Sequence, residues 1–125
     1  MSGLLTKQAI VEARDVPFED VEVPEWGGTV RIRTMDGTAR DRYDMELLSR
    51  IKKGKDGKVE KSSMVGLPRL LLVHCLVDEQ GELLFSVSEI EELTKKSGAV
   101  IEKLFKVAGK LNGLDLEAEE QALGN

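Results

Sequence analysis

His74 and Cys75 are the only histidine and the only cysteine in this 125-residue chain, so nucleophilic or soft-metal chemistry would have to be built on them. Adjacent positions on a helix point about 100° apart around its axis, so the pair would not face one another as base and nucleophile. His74 reads as a core or near-surface histidine, and Cys75 as a small buried hydrophobe. One His and one Cys cannot assemble a zinc site without carboxylates, and no spacing suggests one. Asp78, Gln80, Glu82, Ser86 and Glu89 fall at positions 1, 3, 5, 9 and 12 of a would-be calcium loop. That loop needs glycine at position 6 for its bend, where this chain has Leu83, and the match fails. Glu91-Glu92 and Glu119-Glu120 are sequence neighbours on exposed helix faces, which is a solvated surface and not an acid/base pair. Gly-rich phosphate loops are absent. The expectation is a non-enzyme with no cofactor and no metal.

Surfaces remain, and the elements that would shape them can be read from pattern. Val21 and Val23 alternate with Glu22, and Val30 and Ile32 alternate with Arg31 and Arg33, the period of half-buried strands. Pairing across Pro24 to Gly28 makes a hairpin, with Gly27-Gly28 free to adopt the positive φ of a tight reversal. Glu22 is expected on the Arg31/Arg33 side, each opposite-charge pair contributing roughly 0.2–1 kcal/mol. Before the hairpin, Leu5, Ala9, Ile10 and Ala13 predict a short helix capped by Thr6 and ended by Pro17. After it, Thr38-x-x-Asp41 resembles a capping box opening a helix on which Tyr43, Leu47, Leu48 and Ile51 share a face.

Lys52 to Ser63 breaks the pattern. Its five lysines (52, 53, 55, 58 and 61) could suggest an anion-binding patch, but Asp56 and Glu60 partly neutralise them, and a flexible solvated connector is the plainer reading. Leu67 to Val77 is apolar nearly all round, which periodicity cannot assign to helix or strand. Three consecutive leucines, with Pro68 suited to a first helical turn, favour a central buried helix. Asp78 to Gly81 is a turn, after which Leu83, Leu84 and Phe85 return to the core. Ser86-x-x-Glu89 is a second capping box, opening a helix to about Thr94. Ser97 opens the longest amphipathic segment, with Val100, Ile101, Leu104, Phe105, Ala108 and Leu111 as its stripe and Asn112-Gly113 as its cap.

The expected fold is therefore α+β and predominantly helical: an N-terminal β-hairpin packed with a bundle of four to five short helices. The chain forms a single domain, 1–125. Residues 1–51 carry helix, hairpin and helix, 52–63 the connector, 64–113 the helical core, and 114–125 an acidic tail. A chain of this size buries roughly two-thirds of its unfolded surface. With aromatics at 4%, that core rests on Leu, Val, Ile and Ala. The net charge of −5 argues against phosphate-backbone binding as a primary role. The longest apolar stretch, Leu70 to Val73, is too short to span a bilayer. A lone cysteine and no basic-then-apolar leader suit a reducing cytoplasm.

Four landmarks in order carry a resemblance. They are Val23-Pro-Glu-Trp-Gly-Gly-Thr-Val-Arg-Ile-Arg33, Thr38-Ala-Arg-Asp-Arg-Tyr43, Leu76-Val-Asp-Glu-Gln-Gly-Glu-Leu-Leu-Phe-Ser86 and Leu111-Asn-Gly-Leu114. Together they resemble the tail assembly chaperones of long-tailed bacteriophages over most of the chain. Pro68 and the length and basic character of the connector depart from that pattern. The resemblance implies a non-enzymatic protein that coats the aggregation-prone tape measure protein, is released as tail tube subunits arrive, and is absent from the finished virion. A longer product of ribosomal frameshifting would recruit tube protein. Helix-in-groove recognition along a long rod requires several copies, so a homo-oligomer is expected. Trp26, Tyr43, Leu104 and Phe105 are the expected contact or groove-forming residues, set against the plain reading that all four are core. Competing readings are a small adaptor or nucleic-acid-associated regulator, drawing on Arg31, Arg33, Arg40 and Arg42, and a structural tail component.

Overall fold

A computed structural model describes residues 3–114. Among them are five helices and one antiparallel sheet in the order β1-β2-β3, the helix-dominated α+β fold that the pattern predicts. In chain order they are α1 (Lys7–Glu12), β1 (Phe18–Val23), β2 (Gly28–Arg33), α2 (Gly37–Arg50), α3 (Leu67–Cys75), β3 (Leu76–Val77), α4 (Ile90–Thr94) and α5 (Gly98–Leu111). The expected acidic tail, beyond Leu114, lies outside the described residues.

The hairpin turns through a 3-10 segment, Pro24–Trp26, with Gly27 at φ 77°, so Val23 pairs directly with Gly28. Counting back from that pair puts Asp20, not Glu22, opposite Arg31. Glu22 lies on the Arg31/Arg33 side as expected, since Phe18, Asp20 and Glu22 share a face with Thr29, Arg31 and Arg33, but the direct partner of Arg31 is Asp20. Arg31 grips Asp20 with two bonds, Nε to Oδ1 at 2.7 Å and a terminal nitrogen to Oδ2 at 3.0 Å. This hydrogen bonding holds the Asp20 carboxyl below its usual range. Glu22 faces Thr29, and its backbone carbonyl accepts from Lys103 Nζ on α5 at 3.1 Å.

The apolar run of the middle segment is a helix only as far as Cys75; Leu76–Val77 is strand β3, against β2. The free edge of β2 supplies pairing that a further helical turn would forgo. Pro68 lies in the first turn of α3, where its missing N–H leaves no bond unmade, and Gly66 precedes it at φ 87°. A strand in place of the last turn also redirects the chain beyond Val77. Leu84 donates its N–H to the Leu76 carbonyl, and Leu83 bridges to Val77. Leu83 and Leu84 are therefore exposed, and of the three apolar residues expected to return to the core only Phe85 packs against it.

Helix starts are only partly legible in the sequence. Ser86 and Glu89 form the expected capping box, leading through a short 3-10 turn into α4; Glu89 Oε1 accepts the Ser86 N–H at 2.9 Å, which lowers its carboxyl pKa. Ser97 caps α5 as expected. On α2, however, Asp36 and not Thr38 is the cap, accepting from the Ala39 N–H at 2.9 Å. The helix thus begins earlier than the Thr-x-x-Asp box implies, and on its expected stripe Leu48 is exposed while Tyr43 is buried. The charged run 52–63 closes on itself: Lys53 bridges Val59, and Ser63, itself buried, accepts the Lys52 N–H at 2.7 Å.

The core sits where α3 is sandwiched. Leu70, Leu71, Leu72, Cys75 and Leu76 are sealed from solvent among Ile32, Leu93, Leu104 and Ala108.

Candidate functional site

His74, the one possible base, is part of this core. Its ring meets Tyr43 edge-on at 5.7 Å between centroids, and its Nε2 is buried with no hydrogen-bond partner among the described residues. Burial pushes its pKa below the ordinary 6.5. The unfolded chain then takes up the proton more readily than the folded one. Stability is full above pH 6.5 and falls as pH drops from there toward the lower folded-state pKa. His74→Phe, which cannot titrate, is expected to flatten this acid limb in urea titrations run between pH 7.5 and 5. Cys75 lies one residue on, with its thiol pushed up to about 12 by burial, which leaves no thiolate for chemistry at neutral pH. Among the described residues no three His, Cys, Asp or Glu side chains converge on a point that could hold a metal ion. No described helix is long and apolar enough to cross a membrane.

Three of the four arginines of the hairpin–helix region have partners within the fold, and Arg42 is exposed. Arg31 holds Asp20 and lies over the Phe18 ring at 3.8 Å, Arg33 donates from Nε to the His74 carbonyl at 3.0 Å, and Arg40 pairs with Asp44 at 3.4 Å.

Asn112 is the residue that sequence reasoning missed. Read only as part of a helix cap, it ties the C-terminus of α5 to the loop between β2 and α2. Its Oδ1 accepts the Met35 N–H at 2.7 Å, and its Nδ2 donates to the carbonyls of Arg33 at 3.2 Å and Ala108 at 2.9 Å. The Asn-Gly signal reports a cap, but nothing in a single sequence shows which distant loop that cap will bind.

The four residues expected at a partner surface divide. Tyr43 and Leu104 are buried in the core, while Trp26 and Phe105 are half-buried and pack against its rim. Large apolar side chains are instead exposed elsewhere: Leu5, Ile10 and Val11 around α1, Val16 and Phe18 at the start of the sheet, Met45 and Leu48 on α2, and Val65 before α3. Phe18 was findable, since it lies an odd number of positions from Val21 and Val23 and so must face away from them across the sheet. These exposed apolar side chains are the candidate interaction surface.

Residues 6–123 match a family described as phage tail assembly chaperone. A solved structure, the tail assembly chaperone of bacteriophage HK97, superposes with a TM-score of 0.54 at 26% identity, covering 83% of this chain and 90% of that one. No curated protein sequence matches.

Proposed function

This chain belongs to the phage tail assembly chaperone family, and from that premise we propose that it binds the tape measure protein, keeps it soluble and hands it to tail tube subunits. The observation that carries the proposal is the family match across nearly the whole chain, joined to several exposed apolar side chains. A tape measure protein is expected to be a long amphipathic helix whose apolar stripe aggregates when bare. An acidic protein with uncovered apolar surface can shield that stripe and keep the complex dispersed. Trp26 and Phe105, half-exposed at the core rim, are the proposed contacts; Tyr43 and Leu104 would frame that surface from within. Several copies act along one rod. The chaperone works in the cytoplasm of the host bacterium, is absent from the finished virion, and a frameshifted longer form would recruit tube protein.

Co-expression tests this directly. Co-expressed with its tape measure protein, this chain should move most of that protein from the pellet into the soluble fraction and co-purify with it. An equally insoluble tape measure protein in its presence would sink the proposal, and recovery of this chain from purified virions would make it a structural component instead.

A further inference from the structure

The sheet has two edges, and the chain closes one of them. Beyond β3, Leu84 donates its N–H to the Leu76 carbonyl and Leu83 bridges to Val77, so the returning chain covers that side. No strand lies beyond β1 among the described residues, since the order is β1-β2-β3. Which backbone groups of β1 face outward follows from its register. The Thr34 N–H donates to the Pro17 carbonyl at 3.0 Å, which makes these two residues a hydrogen-bonded pair. Bonded and non-bonded pairs alternate along an antiparallel ladder. Glu19, Val21 and Val23 therefore direct their N–H and C=O groups at β2, whereas Phe18, Asp20 and Glu22 direct theirs off the sheet. Two contacts agree with that alternation. The Arg33 carbonyl, opposite Phe18, points away from β1 and is taken by Asn112, and the outward Glu22 carbonyl is taken by Lys103 Nζ at 3.1 Å.

Lys103 stops only that last carbonyl. The N–H groups of Phe18, Asp20 and Glu22 and the carbonyls of Phe18 and Asp20 form a row with no partner among the described residues, on side chains that are all exposed. Such a row is a template for one more strand. The side chains beside it say what that strand must carry. Glu19, Asp20 and Glu22 are acidic and Glu25 follows in the turn, yet only Asp20 is in an ion pair among the described residues. A second copy is a poor occupant, because pairing two β1 strands sets acids against acids, and like charges directly opposite destabilise a ladder. A segment bearing lysine or arginine meets opposite charge there. Phe18, 55% exposed at the start of the strand, offers an apolar neighbour to the residue placed beside it.

We propose that the open edge of β1 takes an extended segment of another protein, alternating basic and apolar residues, as a further strand of the sheet. Main-chain hydrogen bonds supply the attachment, and the acids of β1 select the sequence. The site uses backbone groups at the sheet edge. It is therefore separate from the apolar rim of Trp26 and Phe105, and stands or falls independently of tape measure binding.

Amide hydrogen exchange on the full chain, followed by NMR, is the test, with a synthetic peptide alternating lysine and valine as the probe. In the chain alone the amides of Glu19, Val21 and Val23 should exchange slowly and those of Phe18, Asp20 and Glu22 fast. Saturating peptide should slow the second set by about tenfold. A peptide alternating glutamate and valine should leave them unchanged. Asp20→Pro removes the central outward N–H, at an edge position where proline is tolerated, and should abolish the protection. Asp20→Ala removes the same carboxylate but keeps that N–H, and should retain it. Glu19→Lys/Glu22→Lys changes two exposed side chains and gives a reading even if the proline variant unfolds; it should weaken binding of the lysine–valine peptide by roughly tenfold. Binding that leaves the three amides fast, equal protection by the acidic peptide, undiminished affinity in the lysine variant, or protection that survives in a folded Asp20→Pro would each overturn the proposal. So would slow exchange at these amides in the chain alone that is lost on dilution, since a second copy would then hold the edge.

Discussion

Asn112→Ala is expected to lower the stability of the fold by about 3 kcal/mol, more than any other substitution of a partly exposed residue in this chain. The side chain makes three bonds to main-chain groups on two elements: it accepts from the Met35 N–H and donates to the Arg33 and Ala108 carbonyls. Alanine keeps none of them. The Met35 side chain is buried, so its backbone N–H has little access to water once the partner is gone, and an unpaired buried group costs about 1–3 kcal/mol. The Arg33 carbonyl, at the end of β2, loses a donor as well. Urea unfolding should show a lower midpoint with an unchanged slope, and a thermal midpoint lower by roughly 10 °C. Asn112→Asp separates the contributions, because it keeps the acceptor for Met35 and discards the donors; it should recover part of the loss. A variant as stable as wild type would show that the loop between β2 and α2 is not held through this residue.

Leu104→Ala should cost about 3 kcal/mol, within the roughly 2–5 kcal/mol usual for emptying a sealed leucine site. Leu104 is completely buried on α5, in the cluster that joins that helix to α3. Against the roughly 5–15 kcal/mol typical of a domain this is a large fraction of the whole. Phe105, one residue on, is only half-buried, and Phe105→Ala should cost about 1 kcal/mol in the isolated chain. The pair therefore separates packing from recognition. Chemical denaturation ranks Leu104 first; capture of the tape measure protein, measured on variants that remain folded, ranks Phe105 first. Equal stability losses at the two positions would contradict the burial difference between them.

Much of the fold was legible because local chemistry and tertiary demand agree. The alternation of Val21, Val23, Val30 and Ile32 specifies which face of the hairpin is buried, and the glycine at 27 supplies the one positive φ its reversal needs. Ser86 and Ser97 cap helices by bonding backbone groups within a few residues, a short-range event that sequence records well. The errors fall where a distant element competes. Leu76 and Val77 continue an apolar helical run but are captured by the free edge of β2, and that in turn leaves Leu83 and Leu84 outside the core. Glu22 sits on the arginine face as its alternation predicts, while the register set by the 3-10 turn makes Asp20 the residue directly opposite Arg31.

The candidate surface divides in the same way. Sequence alone established that His74 and Cys75 cannot cooperate, since their spacing on a helix forbids it, and that net charge disfavours a nucleic-acid role. It also ordered the landmarks that resemble the chaperone family. Burial was decided only in three dimensions. Tyr43 and Leu104 are closed into the core by α3, a helix between them in sequence, whereas Leu5, Ile10 and Val11 stay in solvent because no part of the chain's own body packs on α1. An apolar side chain carries the same drive to leave water wherever it sits, but whether the fold brings another surface to meet it depends on elements far away in sequence, which periodicity within one segment does not encode.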